Sequence, residues 1–482
     1  MKYLIALDAG TTSVRAYLYD PLTGRLVRGA QQEVGQSFPR PGWVEQDANE
    51  IFYKCAYVLN DCVQAAGAEN VAGVGLTNQR ETVVFWDRKT GEPVCPAIVW
   101  QCRRTSGECA KIPADVREKI VSRTGLLPDA YFSASKIRWN LDHIPEARRL
   151  LKEGRLCAGT VDSYLIFKLT GNFYTDYTNA SRTMLFNLHT LSWDGELCDW
   201  FGIPKDVLPT PVPCDFRMGE TSLGGRKVPV CGVLGDQQAA LFGQSCLGVG
   251  DAKITYGTGL FMLLNTGNVP AAAREGLLST VGYSAGGKTV YALEGSAFNA
   301  GSGVQWLRDG LGILTSSAES EQVALSVPDT GGAFFVPAFT GLGAPRWDGE
   351  ARALLCGVTR GTTRAHVVRA VLESIAYEAR DLADCMARVS GVDLREIRCD
   401  GGASANNFLM QFQSDVLGIP VNRPCEREST ALGAARMAAG SLGMADAGGR
   451  AADRIFTPSP DREKFDGLYR QYCLAVDRAV LK

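Results

Sequence analysis

Short apolar runs closed by polar or glycine-rich turns recur along the chain and outline its strands. Residues 2–7 predict a buried strand, Asp8, Ala9, Gly10, Thr11, Thr12 and Ser13 a turn, and residues 14–19 a second strand. A turn at Pro21 and Gly24 leads to a third strand, and residues 49–66 predict a helix. Residues 71–76 predict a strand that runs into Asn78, Gln79, Arg80 and Glu81. Tyr131 and Phe132 precede a helix, residues 159–169 are apolar and helix-like, and Asp176 to Arg182 reads as a polar loop. The stretch 204–229, rich in Pro and Gly, reads as a surface excursion. Beyond it an apolar run ends at Gly235, and Asp236 opens a small-residue helix.

Glycines 243, 248 and 250 suggest a hinge, with one domain spanning 1–245 and another 246–482. The opening theme then returns: a strand at 252–256, the turn Gly257, Thr258, Gly259, and a strand at 260–265. Two strand–Gly/Thr turn–strand hairpins, one per half, point to a duplicated architecture. Residues 295–311 read as a turn into a helix, with Gly301 and Gln305 near its start. In 363–390 the apolar Val367, Val371, Ile375, Leu382, Met386 and Val389 keep helical spacing, with Thr362 or Thr363 as cap and Gly391 as terminator. A strand at 397–399 meets Gly401 and Gly402 before a helix at 406–417, a place where phosphate or ribose oxygens can approach a helix N-terminus. Residues 430–440 form a small-residue helix suited to tight packing.

Composition narrows the class. A length of 482 residues exceeds one ordinary core, and 45% hydrophobic with 21% charged residues is usual for a folded globular protein. A formal charge of −2 leaves no footprint for nucleic acid. The fifteen cysteines are odd in number and scattered, with no CxxC pair and only three histidines to join them, which disfavours a disulfide framework or a zinc site. The start MKYLIALDAG is broken by Asp8 too early for a signal peptide, and no segment approaches the ~20 apolar residues of a membrane span. These features place the chain in the cytoplasm.

Candidate chemistry gathers at the strand ends. Asp236, delivered by an apolar run, suits proton abstraction from a hydroxyl. Arg80 offers only donors and Glu81 only acceptors, so together they can satisfy both halves of a hydroxyl group; an ion pair of purely structural use fits the same residues. The first hairpin turn can hold phosphate oxygens with backbone N–H groups and hydroxyls, Arg15 can add donors, and Asp8 can hold Mg²⁺. An ordinary hairpin with a polar turn is the plainer reading of that segment alone.

Taken together, LDAGTTSVR, PGWVEQD, GLTNQRET, AIVWQCRRT, YFSASKIRW, DYTNASRTMLFN, GDQQAALFGQ, TYGTGLFML, ALEGSAFNAG, VPAFTGLGAP and DGGASANNFLMQFQSD resemble the FGGY-type carbohydrate kinases. The resemblance implies an α/β fold of two ribonuclease-H-like domains of the actin/Hsp70 type around a central nucleotide cleft. It implies ATP-dependent phosphorylation of glycerol, with ATP and Mg²⁺ required and Asp236 as general base. By matching positions, Arg80, Glu81, Trp100, Tyr131, Asp236, Gln237 and Phe261 would form the glycerol pocket. Thr11, Thr12, Ser13, Arg15 and Thr258 would hold phosphates, and Gly301, Gln305, Gly402 and Asn406 the rest of the nucleotide. Asp8 and Asp236 would be the metal ligands, and the protein a homo-oligomer, dimer or tetramer, without nucleic-acid or membrane partners.

The chain departs from the family pattern at Ala9, usually glutamine, at Ala130, usually proline, and at Arg346, usually tyrosine. None of these is a proposed catalytic group. A kinase of another polyol or ketose in the family is the nearest rival, disfavoured because many such relatives carry a Gly-Gln-Met-His-like segment where this chain has Asn78 to Glu81. A non-catalytic actin-like ATP-binding switch would have lost the base or the pocket, and both are present.

Overall fold

The computed structural model describes residues 2–448 and 451–480. The first half of the chain begins with an antiparallel meander and the second with antiparallel strands of which two exchange places, and each then adds parallel strands beside its first strand. In the first half β1 (Tyr3–Ala9), β2 (Ser13–Asp20) and β3 (Arg25–Glu33) form the meander. β4 (Val71–Asn78) joins β1 in parallel after α1 (Ala48–Ala66). β5 (Arg217–Leu223) and β6 (Arg226–Gly235) complete the sheet, in the order β5-β6-β4-β1-β2-β3.

The second half repeats the plan. β7 (Asp251–Tyr256), β8 (Leu260–Gly267) and β10 (Lys288–Ala297) are antiparallel neighbours, with β9 (Leu278–Ala285) outside β10. β11 (Glu396–Gly401) and β12 (Val421–Pro424) run parallel to β7, and β13 (Ala452–Phe456) closes the edge. The order β9-β10-β8-β7-β11-β12-β13 superimposes on that of the first sheet in its five central strands. These are two ribonuclease-H-like α/β units, the arrangement of actin and Hsp70.

Local sequence explains the elements. β1 is buried nearly throughout, as expected of a strand covered on both faces. α1 turns Ile51, Cys55, Val58, Leu59 and Cys62 inward at helical spacing, starts at Asp47, whose carboxylate accepts from the Asn49 N–H, and ends at Gly67. In the second half α6 (Arg364–Ser390) begins with a reciprocal cap between Thr363 and His366 and stops at Gly391 in the left-handed conformation. Other helices used below are α2 (Ser133–His143), α3 (Val161–Thr170), α4 (Asp236–Gly243), α5 (Gly301–Gln305), α7 (Asn407–Leu417) and α8 (Ser429–Ser441).

α8 belongs to the second half by sequence but packs on the first sheet. Ala431, Leu432, Ala435, Ala438 and Ala439 share one cluster with Leu4, Ala6, Tyr19 and Cys231. The approach is at backbone distance: a Cβ on Gly433 would lie 1.9 Å from the Ala239 carbonyl oxygen of α4, and one on Gly75 of β4 2.3 Å from that of Ala434. The helix that carries Asp236 is thereby wedged between the two halves.

Three expectations are corrected. Residues 217–229 are not an excursion but the outer hairpin of the first sheet; Met218, Thr221 and Leu223 alternate inward, and the two-residue turn Gly224-Gly225 has positive φ at both positions. The segment from Asp176 to Arg182 is not simply a polar loop: it holds a short helix, Tyr177–Ala180, and Asp176, Thr178, Asn179, Ser181 and Arg182 are fully buried. Gly295 lies within β10 rather than in a turn, and the helix there starts only at Gly301. The fifteen cysteines are all free thiols, and only Cys425 is exposed. Among the described residues no helix is long and apolar enough to cross a membrane.

Candidate active site

Three parallel strands of the first sheet end side by side, with Ala9 of β1 paired to Asn78 of β4 and Asn78 to Gly235 of β6. Strand ends of an open parallel sheet are where ligands bind. From them project Asp8, then Gln79, Arg80 and Glu81, then Asp236 and Gln237.

Adjacent residues of a strand point to opposite faces, so Arg80 and Glu81 could not share a pocket in regular extended backbone. Glu81 instead takes φ 61°, rare for a residue with a side chain and costing about 1–3 kcal/mol. The turn is pinned on both sides: the Thr82 N–H donates to the Arg80 carbonyl (2.7 Å), and Ser133 of α2 donates its hydroxyl to the Glu81 carbonyl (3.1 Å).

A buried charge network results. Arg80 donates to Glu294 of β10 through both terminal nitrogens (2.5 and 3.1 Å), and its Nε lies 3.1 Å from Asp236 Oδ1 and 3.8 Å from Glu81 Oε1. Arg182 donates through Nε to Glu81 (2.7 Å) and through a terminal nitrogen to Glu294 (2.9 Å). Lys253 of β7 donates to the side chains of Gln237 and Thr255. Arg80 and Arg182 thus face Glu81, Glu294 and Asp236, while Lys253 stands near Asp400, Asp236 and Glu294; of these groups only Asp236 keeps a sizeable share of its side chain, 33%, exposed. Burial works to raise the Glu294 carboxyl, but the Arg182 and Arg80 charges outweigh it and hold the group at about 2. Burial prevails at Glu81, whose carboxyl is held above the usual range against Arg80 and Arg182.

Aromatic side chains wall the adjacent space. Trp100 and Tyr131 meet edge-on at 5.6 Å, and the Trp100 indole N–H donates to the Thr11 hydroxyl (3.0 Å). Phe261 is the second residue of β8, close to the second turn, paired across to Thr255 of β7.

The two glycine-threonine turns have a common hydrogen-bond pattern. In the first, the carbonyls of Gly10, Thr11 and Thr12 accept from Gln79, Gln46 and the Val34 N–H (3.3, 2.7 and 2.9 Å). In the second, the Thr258 carbonyl accepts from Ala300 and Ser302. The N–H groups of Thr11, Thr12 and Thr258 find no acceptor among the described residues, and Thr12 and Thr258 are exposed. Turns with carbonyls satisfied behind and amides open in front suit anions.

Some expected residues are engaged otherwise than foreseen. Arg15 pairs with Glu428 of the second half at 3.1 Å. The Gly301 N–H donates to Gly257 O (3.0 Å), so this glycine serves the close approach of α5 to the turn. Asn406 caps α7 by accepting from the Leu409 N–H (2.9 Å) and donates to Ser320. Gln305 and Gly402 are exposed, and a Cβ on Gly402 would meet nothing within 4 Å, whereas Gly401, at φ 85°, is crowded by the Tyr256 backbone. Sequence reading missed Arg182, Glu294, Lys253 and Glu428. Glu294 had a signal, as one acid in the apolar strand VYALEGSA; Arg182 sat in a run that polar composition disguised as a loop.

Residues 3–243 match the N-terminal domain, and residues 252–442 the C-terminal domain, that define the FGGY family of carbohydrate kinases. This chain belongs to that family. Its FGGY relatives include a glycerol kinase of Symbiobacterium thermophilum, 51% identical over 99% of this chain and 98% of that protein. The crystal structure of Plasmodium falciparum glycerol kinase with ADP is similar at a TM-score of 0.95 and 35% identity, covering 100% of this chain and 99% of that one. A xylulose kinase from Rhodospirillum rubrum shares the fold, with a TM-score of 0.87 at 24% identity and 99% coverage of both chains.

Proposed function

We propose that this protein phosphorylates glycerol with ATP, giving sn-glycerol 3-phosphate and ADP. The observation that carries the reading is the position of Asp236: a partly exposed carboxylate 3.1 Å from Arg80, at strand ends flanked by turns with open amides. Full-length likeness near half identity to several glycerol kinases supports glycerol as the substrate.

Arg80 and Glu81 hold the polyol hydroxyls with Gln237, while Trp100, Tyr131 and Phe261 pack on its carbon chain. Asp236 accepts the proton of one terminal hydroxyl as that oxygen attacks the γ-phosphorus and the bond to the ADP oxygen breaks. Thr11, Thr12, Ser13, Arg15 and Thr258 hold the phosphates, and Gly301, Gln305, Gly402 and Asn406 line the rest of the nucleotide.

Asp8 suits a divalent cation. Burial, and then the neighbouring Asp236 charge, push its carboxyl up to about 7 against the pull of Arg15, and no described residue gives it a hydrogen bond. No cluster of three or more acidic, His or Cys groups that could cage a metal occurs among the described residues. A site of one or two carboxylates completed by phosphate oxygens and water is the Mg²⁺ pattern. Bound there by Asp8 and Asp236, Mg²⁺ would neutralise phosphate charge.

We place the protein in the cytoplasm, where free thiols persist, with the chain dividing at 245/246. We further take it to be a homo-oligomer, dimer or tetramer; Tyr53 and Tyr57, both exposed one turn apart on α1, support a protein-facing surface. A coupled ADP-release assay over glycerol, dihydroxyacetone, xylulose, ribitol and gluconate tests the activity. Glycerol is expected to give the highest kcat/KM and to need Mg²⁺; glycerol turnover no faster than with water, beside turnover of a pentulose, overturns the reading.

A further inference from the structure

Apart from Phe261, the polyol side of the cleft is built from the first half of the chain, yet its central arginine is held from the second. Glu294 accepts from both terminal nitrogens of Arg80 and from Arg182, all three of them buried side chains. This bidentate grip fixes the guanidinium plane. It leaves Nε as the edge of Arg80 that faces Asp236, and through Arg182 it also steadies Glu81. Gln238 of α4 adds only a neutral acceptor to the same arginine, at 3.2 Å. Without Glu294, two buried guanidinium groups would face the Glu81 carboxylate and the partly exposed Asp236, and Arg80 would be free to turn onto Asp236.

From this geometry, and resting on the proposed glycerol phosphorylation, we infer that Glu294 is a positioning residue for polyol recognition. It sets Arg80 and, through Arg182, Glu81 in the orientation that binds hydroxyl groups, and makes the pocket a joint product of both halves. Glu294 does not itself touch substrate in this role. Its carboxylate works by holding two arginines that lie more than a hundred residues apart in sequence.

The test is Glu294→Gln, which keeps shape and one acceptor while removing the charge. Loss of charge-assisted hydrogen bonds to a positioned arginine predicts a glycerol KM raised roughly tenfold to hundredfold, with the KM for ATP changed less than about twofold. Propane-1,2-diol and propane-1,3-diol, each lacking one hydroxyl, give the readout that general loosening would not move. At least one diol is expected to suffer a smaller loss of kcat/KM than glycerol, because the hydroxyl that Arg80 would have held is already gone. Should Glu294→Gln fail to fold, Glu294→Asp, which keeps the charge but withdraws it by one methylene, is measured in the same way with the same expectations. An unchanged glycerol KM, equal rises for ATP and glycerol, or equal losses for glycerol and both diols overturns the inference. Wild-type protein in the same assay separates the two levels. No glycerol-dependent ADP release from it overturns the proposed function, whereas normal wild-type activity beside an unaffected variant overturns only the role of Glu294.

Discussion

The charged groups around Arg80 are paired with one another inside the protein, whereas the amides of Thr11, Thr12 and Thr258 stand without partners among the described residues. In the proposed function the two regions meet at Asp236 and reflect what each would bind. A polyol is small and uncharged and cannot organise a site around itself, so donors and acceptors have to be set beforehand by buried ion pairs and a strained turn at Glu81. A nucleotide brings its own charge, and needs open amides on turns held from behind. One region is therefore a cooperative unit spanning both halves, the other a set of separate contacts. Substitutions in the first should be large and coupled, and those in the second small and local.

The strongest test of that difference is Asp236→Asn. The amide keeps the size of the side chain and can still face Arg80, but cannot accept a proton as a base. Turnover is expected to fall by roughly 10³-fold or more, about 4 kcal/mol in the barrier, with the glycerol KM changed only modestly. Steady-state kinetics decides: near-normal kcat would remove Asp236 as the base, and a collapse of glycerol binding alone would make it merely part of the network.

The next effect lies in stability. Glu294 sits at about 2 in the folded protein, below the ordinary value of about 4.5 for a glutamate. A depressed carboxyl stabilises the folded state above its unfolded pKa, and that contribution is lost as pH falls from about 4.5 through about 2. The shift corresponds to about 3 kcal/mol. Glu81 is perturbed upward and so contributes with the opposite sign, which makes a comparison with Glu294→Gln more telling than the wild-type profile alone. Urea midpoints from pH 6 down to pH 3 should show the gap between wild type and variant narrowing with acidity. A gap that stays constant would mean that the charge of Glu294 is not what ties the halves together.

The two glycine-threonine hairpin turns were legible in the sequence because each is local: Gly and Thr between two apolar runs give a hairpin turn without help from elsewhere. The duplicated plan was legible for the same reason, as was α6, whose apolar spacing, Thr363 cap and Gly391 stop all lie in one continuous segment. The charge network was not. Glu294 and Arg80 are 214 positions apart, and no local pattern states that they meet. Proline and glycine counts misled at 217–229, where inward alternation of Met218, Thr221 and Leu223 was the better guide. α8 shows the same limit: its small residues announced tight packing, but not that the surface awaiting them belonged to the first sheet.

The smallest effect is expected at the nucleotide side, and Gly401 and Gly402 make an internal control for it. At Gly401 an added methyl would lie 2.3 Å from the Tyr256 carbonyl oxygen, at φ 85°, so Gly401→Ala should lower stability by about 1–2 kcal/mol or more from backbone strain and crowding. At Gly402 the same methyl meets nothing within 4 Å, and reducing the freedom of the unfolded chain should leave stability unchanged or raised by up to about 1 kcal/mol. If the open space beside Gly402 is where the nucleotide lies, Gly402→Ala should still raise the KM for ATP, by roughly twofold to tenfold, about 1 kcal/mol, while the glycerol KM stays put. Thermal melts of the two variants, followed by ATP titrations of Gly402→Ala, separate packing from binding. A Gly402→Ala protein with wild-type ATP kinetics would take this residue out of the nucleotide site. A rise in the glycerol KM as well would mean that the nucleotide turns are coupled to the polyol network, and the contrast between the two regions would not hold.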